Sequence, residues 1–107
     1  MSAKPSVIHH VFFWLKNPES TADLEQLLSG IKALAAISTV QKLYVGVPAA
    51  TEERDVIDSS WSASELMYFD SVEDQNAYQV DPLHKKFIAE CGHLWRKVQV
   101  YDIEVKD

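Results

Sequence analysis

The sequence predicts a single α+β domain, with four strands and two helical regions in the order βαββαβ and both helices packed on one face of an antiparallel sheet. Three observations carry this expectation. Four short segments are rich in aromatic and β-branched residues. Two others place apolar residues at helical spacing. The first strand is apolar on both parities, as a strand covered on both faces must be.

Residues 7–16 form the first strand, which stops at Asn17-Pro18. Val7, Val11, Phe13 and Leu15 share one parity, while Ile8, Phe12 and Trp14 share the other. Residues 20–36 read as a helix, because Leu24, Leu27, Leu28, Ile31, Leu34 and Ala35 recur at its period. Ser20 or Thr21 caps its start, Asp23 suits the first turn, and Gly30 weakens the interior slightly. Residues 40–47 form the second strand, and 61–69 the third. Between them, residues 48–60 are polar, with Glu52, Glu53, Asp55 and Asp58, and read as a long hairpin loop. Ser71-Val72-Glu73-Asp74 resembles a capping box with Asp in the final place, and opens a short helix through Tyr78. Asp81-Pro82 restarts a helix, since Asp caps well and Pro suits the first helical position. That helix ends near Cys91-Gly92, and residues 97–105 form the last strand, with Gln99, Tyr101, Ile103 and Val105 on one parity.

Size and charge narrow the function. A chain of 107 residues is one domain, 1–107, and can bury about 60–70% of its unfolded surface in a single core. The single cysteine, Cys91, cannot form an internal disulfide, so nothing points to an oxidising compartment. Residues Met1-Ser2-Ala3-Lys4-Pro5 lack the apolar stretch of a signal peptide, and a cytoplasmic protein is expected. The longest apolar run, 11–15, is far short of the roughly 20 residues of a membrane helix. Ten Lys and Arg are scattered among sixteen Asp and Glu, for a net charge of −6, which argues against nucleic acid and anionic membranes as partners. Gly30, Gly46 and Gly92 stand alone, so no phosphate-binding loop and no nucleotide cofactor is implied.

Three stretches together resemble the stress-responsive α/β-barrel family, Dabb. His9-His10-Val11-Phe12-Phe13-Trp14-Leu15-Lys16 is similar to the family's opening His-x-Val-x-Phe-x-x-Lys, with His9 in the family histidine's place. Leu34 through Val40 to Gly46 is similar to its helix-to-strand passage. Tyr78-Gln79-Val80-Asp81-Pro82-Leu83-His84 is similar to its Tyr-x-x-His-Pro-x-His, the most specific of the three, and departs from it at Asp81, which keeps the capping role but changes the local charge. The resemblance covers residues 7–105. It implies a ferredoxin-like fold that dimerises through its sheets into a dimeric α+β barrel, with a pocket between sheet and helices. It also implies cofactor-free chemistry: a plant polyketide cyclase of the family performs an intramolecular aldol-type condensation with a Tyr and a His at the positions matching Tyr78 and His84.

The residues themselves allow that chemistry. His84 falls at the third helical position, where the helix dipole disfavours imidazolium and keeps a base neutral. Tyr78 lies on the preceding helical turn and can donate to a developing enolate oxygen. His9 shares the parity of Val11 and Phe13, and can hydrogen-bond His84 to set its tautomer. The alternative is that all three are ordinary structural residues joining helix to sheet. His10 has the opposite parity and a structural role, and His93 complements a helix end. No His or Cys pair has metal-ligand spacing, so no metal is expected, and Cys91 reads as a buried apolar residue. Ile8, His10, Phe12 and Trp14 lie on the face the helices leave uncovered, and predict a homodimer through that face. Three functions stay open: a small apolar or carbonyl ligand pocket with acid/base chemistry, a non-catalytic stress-related dimer, or, by analogy of fold alone, a cofactor-independent monooxygenase.

Overall fold

The computed structural model describes residues 4–106; Met1-Ser2-Ala3, part of the segment read above as lacking a signal peptide, lies outside the described residues. The elements run β1 (Val7–Leu15), α1 (Thr21–Ala33), β2 (Lys42–Gly46), β3 (Ala63–Phe69), α2 (Val72–Gln79), α3 (Pro82–Cys91) and β4 (Trp95–Glu104), with single 3₁₀ turns after α1 and α3. The expected order therefore holds, with the second helical region broken into α2 and α3 at Asp81-Pro82. No described helix is long and apolar enough to cross a membrane.

Local chemistry starts each helix. The Ser20 hydroxyl accepts from the Asp23 amide at 3.1 Å, and the Ser71 hydroxyl from the Asp74 amide at 3.0 Å. The Asp81 carboxylate accepts from the Leu83 amide at 2.8 Å, and Pro82 fills the first helical position. Each satisfies a backbone donor that the helix start leaves without a partner, an interaction worth about 1 kcal/mol. Gly30 has a positive reason for being small. A Cβ there would come within 2.7 Å of Cys91 Sγ and 3.2 Å of the Phe87 ring, so the missing side chain lets α1 approach α3.

The four strands form one antiparallel sheet in the order β2-β3-β1-β4. The register sets the faces. Val7, His9, Val11, Phe13 and Leu15 of β1 and Ala63, Glu65, Met67 and Phe69 of β3 are buried under the helices. Against them pack Leu27 and Ile31 of α1, Tyr78 of α2, and Phe87 and Cys91 of α3. The opposite face carries Ile8, His10 and Phe12 of β1, Tyr44 of β2, Leu66 and Tyr68 of β3, and Tyr101 and Ile103 of β4; no helix covers it.

Several boundaries differ from the expectation. Val40 bonds back to the Ile37 carbonyl in a turn, so β2 begins only at Lys42. Trp61 turns its indole N–H to the Asp58 carbonyl at 2.9 Å and precedes β3, which begins at Ala63. β4 begins earlier than expected, at Trp95, and ends at Glu104. A register shift between Trp14 and Leu15 pairs Leu15 with Trp95, and the Trp95 ring then lies 5.0 Å from Phe13 and 5.5 Å from Phe87.

Trp14 corrects the list of uncovered residues. It has the parity of Phe12 but is only 6% exposed within the single chain. Its indole N–H donates to the Ser60 hydroxyl at 3.0 Å, and the Lys97 ammonium lies 4.5 Å from its ring centre. The end of the hairpin loop and a neighbouring lysine stem, neither visible to strand parity, cover it.

The loop itself, 48–60, is exposed from Ala49 onward and has few backbone hydrogen bonds, among them Thr51 to Ala49 and Ile57 to Arg54. Its end is tethered: Asp58 accepts from both the amide and the hydroxyl of Ser60. Amide exchange should therefore be fastest over 49–57 and slow abruptly at Ser62, whose amide donates to the Phe13 carbonyl. Uniform protection across the loop, measured by mass spectrometry, would contradict this.

Candidate functional site

The β1 register places His9 on the helix-facing side, directly across from Asp102 of β4. His9 is 4% exposed, and its Nδ1 lies 2.6 Å from Asp102 Oδ1. A carboxylate only accepts, so Nδ1 carries the proton of this contact. The Gln75 amide donates to the same Asp102 oxygen at 2.9 Å and comes within 3.2 Å of His9 Nδ1, so two donors share one acceptor.

Tyr78, on the next turn of α2 from Gln75, touches both candidate histidines. Its ring meets His9 edge-on at 5.8 Å and His84 edge-on at 4.8 Å, with Phe69 at 5.4 Å. The structure thus brings Tyr78, His84 and His9 together. It does not provide the expected bond between His9 and His84: among the described residues none joins them, and the Nδ1 of His9 bonds to Asp102 instead.

His84 is the third residue of α3, counted from the Asp81 cap, and is half-buried. Burial lowers its basicity first, the charge of His9 lowers it further, and Asp81 acts in the opposite direction. The Asp that interrupts the motif therefore tempers the shift without reversing it. A ring held neutral at physiological pH is a base.

Sequence reasoning missed the partner of the tyrosine. The Tyr78 hydroxyl donates to Glu65 Oε2 of β3 at 3.5 Å, a long hydrogen bond. Glu65 is 2% exposed, and burial pushes its carboxyl up to about 8 despite the Tyr78 bond. The phenol is in turn pushed above its ordinary value by burial, then by Glu65. One signal was legible: Glu65 shares the parity of Ala63, Met67 and Phe69, an acid on the apolar side of a strand. Asp102 and Gln75 gave no comparable signal, because their contact with His9 depends on the β1–β4 register and on how α2 docks.

The remaining candidates lie elsewhere. His10 is on the uncovered face, 4.3 Å from the Phe12 ring, with its basicity lowered by burial and by His9. His93 sits in the 3₁₀ turn after α3. Cys91 is buried, and its thiol is pushed up by burial. A groove of about 340 Å³ lies on the uncovered side, lined by Phe12, Trp14, Asp58, Trp61, Gln99 and Tyr101. On the helix side, Tyr78 is 1% exposed, and His84 beside it is half-exposed.

Solved structures share this architecture. A Dabb family protein with a ferredoxin-like fold from Mesorhizobium loti superposes with a TM-score of 0.76 at 19% identity, over 97% of this chain and all of that one. A hydroxynitrile lyase from Passiflora edulis gives 0.76 at 20% identity, covering 97% of both chains. A dimeric protein of ferredoxin-like fold from Bacteroides fragilis gives 0.73 at 22% identity, over 92% of this chain and 95% of that one. At these identities the likeness concerns the fold. No curated protein matches the chain. The family model described as the stress responsive A/B barrel domain matches residues 7–105, and with its ferredoxin-like fold the chain belongs to that family, Dabb.

Proposed function

We propose that this protein is a homodimer that binds a small carbonyl compound beside His84 and Tyr78 and moves a proton on it without a cofactor. The observation that carries the reading is the contact of a half-exposed imidazole of lowered basicity with a phenol whose hydroxyl meets a buried acid. His84 takes a proton from the carbon next to the carbonyl. The electrons of the broken C–H bond move to the carbonyl oxygen, where a hydrogen bond from the Tyr78 hydroxyl supports the developing charge. His9, fixed by Asp102 and Gln75, faces Tyr78 and polarises the site. That one relative of this fold is named a hydroxynitrile lyase favours an enzyme.

The test needs no knowledge of the natural substrate. In D₂O, exchange of the methyl protons of acetophenone, a simple apolar ketone, is followed by NMR. The protein should accelerate exchange, and His84→Ala should lower that rate by about 10²–10⁴-fold, the range for loss of a general base. The rate should fall in acid, once pH drops below the lowered value of His84 and the ring becomes protonated. Equal rates for wild type and His84→Ala would remove His84 from the mechanism.

A second reading, a non-catalytic stress-related dimer in the cytoplasm, is favoured by the 1% exposure of Tyr78 in the single chain. Absence of exchange with a panel of ketones would support it. In both readings the dimer forms across the sheet face carrying Ile8, His10 and Phe12, as the dimeric state of related structures supports.

A further inference from the structure

Glu65 meets the Tyr78 hydroxyl but takes no step in the chemistry described so far, and its position is costly. An ionised carboxylate so placed would lose most of its hydration. Its cross-strand neighbours are Val11 of β1 and Val45 of β2, and the buried residues that α1 and α3 bring to the core beside the sheet are Leu27, Ile31, Phe87 and Cys91. Among the described residues, the titratable groups on this side of the sheet include Tyr78 of α2, His84 and Cys91 of α3, and the His9–Asp102 pair of β1 and β4. Among the described residues, only the Tyr78 side chain bonds to the Glu65 carboxyl. A valine or leucine would fill the place at lower cost, so the acid calls for a reason beyond packing.

We propose that Glu65 is a positioning residue that works through Tyr78: in its protonated form its carboxyl donates to the phenol oxygen and turns the phenol's own proton toward a carbonyl or oxyanion ligand beside His84. This rests on the reading of His84 and Tyr78 given above. The logic follows from the donor inventory of the two groups. A carboxylate only accepts, so ionised Glu65 holds the phenol proton for itself. A carboxylic acid has one O–H, and when it donates to the Tyr78 oxygen the phenol O–H is free for the ligand. Glu65 passes no proton to the ligand; its protonation state selects the direction of the hydrogen bond. A buried acid kept neutral at pH 7 is suited to this task, and burial is the dominant cause of its raised value. The ligand class follows: a compound that presents an oxygen acceptor, neutral at first and gaining negative charge as it reacts.

Two measurements test the proposal, one of them without any ligand. Infrared difference spectra of protein labelled with ¹³C in its glutamate carboxyls should show a protonated carboxyl band at pH 7. The band should fade as pH rises through about 8, be absent in Glu65→Gln, and shift in frequency in Tyr78→Phe. Its absence at pH 7 in the wild type, or its indifference to Tyr78→Phe, would overturn the proposal whatever the protein's activity. The second measurement is the pH profile of acetophenone exchange. Wild type should lose rate on the alkaline side near pH 8. Glu65→Gln, whose amide donates at every pH, should keep the neutral rate and lose that alkaline fall. Glu65→Val, which donates nothing, should run at least tenfold slower at neutral pH. An alkaline limb unchanged in both variants would remove Glu65 and leave His84 and Tyr78 standing. No exchange by the wild type would defeat the underlying reading and the donor role with it, while the infrared band would still report the bond itself.

Discussion

Stability should fall as pH rises from about 6.5 to 8, at a rate approaching 1.4 kcal/mol per pH unit, and Glu65→Gln should abolish most of that slope. The group responsible is Glu65, whose carboxyl burial pushes up to about 8 in the folded chain, against about 4.5 for an ordinary glutamate. Between those values the native state holds a proton that the unfolded chain has released. Unfolding then releases a proton, and each rise in pH favours it. The contribution of Glu65 to stability is intact below the unfolded value and is lost progressively until pH passes the folded value. Two histidines act in the other direction. His84 and His10 are both lowered below 6.5, chiefly by burial, so their contribution to stability rises with pH up to about 6.5 and is constant above it. The window from 6.5 to 8 therefore isolates the acid. Urea unfolding at fixed protein concentration, at half-unit steps of pH, measures the effect. A flat profile in the wild type would mean that Glu65 is ionised in the folded protein. In the variant, the gap to wild type should move in its favour as pH rises to 8.

Phe12→Glu should convert a dimer at micromolar concentration into a folded monomer. Phe12 is half-buried on the uncovered face, with ring centres of His10, Trp61 and Tyr101 at 4.3, 5.1 and 6.1 Å. Around it the same face presents Ile8, Tyr44, Leu66, Tyr68 and Ile103. Burial of one such side chain is worth roughly 1.5–3 kcal/mol, and a two-fold axis would count the loss twice. The dissociation constant should rise roughly 100-fold or more, before adding the cost of desolvating the new carboxylate. Sedimentation velocity reads the mass and far-ultraviolet circular dichroism the fold. Trp14→Glu serves as a contrast. Trp14 is covered within its own chain by Ser60 and Lys97, so that variant should unfold rather than dissociate. A wild type that sediments as a monomer at micromolar concentration would refute the dimer, and a dimeric Phe12→Glu would move the interface away from this face.

The order of elements was legible because each segment advertises itself locally. Ser20, Ser71 and Asp81-Pro82 mark helix starts through side-chain chemistry that acts within three residues. The two apolar parities of β1 announced a strand covered on both faces, whereas its place between β3 and β4 came only with the sheet order. The meeting of Tyr78 with His84 was also within reach, since six residues across a helix restart keep them neighbours whatever the rest of the chain does. What the sequence by itself could not reach are the contacts set by register and docking. Asp102 lies 93 residues from His9, and only the pairing of β1 with β4 brings its carboxylate to the imidazole. The same holds for Trp14, whose strand parity pointed outward until residue 60 of the returning loop and Lys97 of β4 closed over it. Glu65 stands between the two cases. Its parity was readable, but the burial that holds its proton comes from α2 and the neighbouring strands together, and a pKa depends on that whole surrounding rather than on the neighbours in the chain.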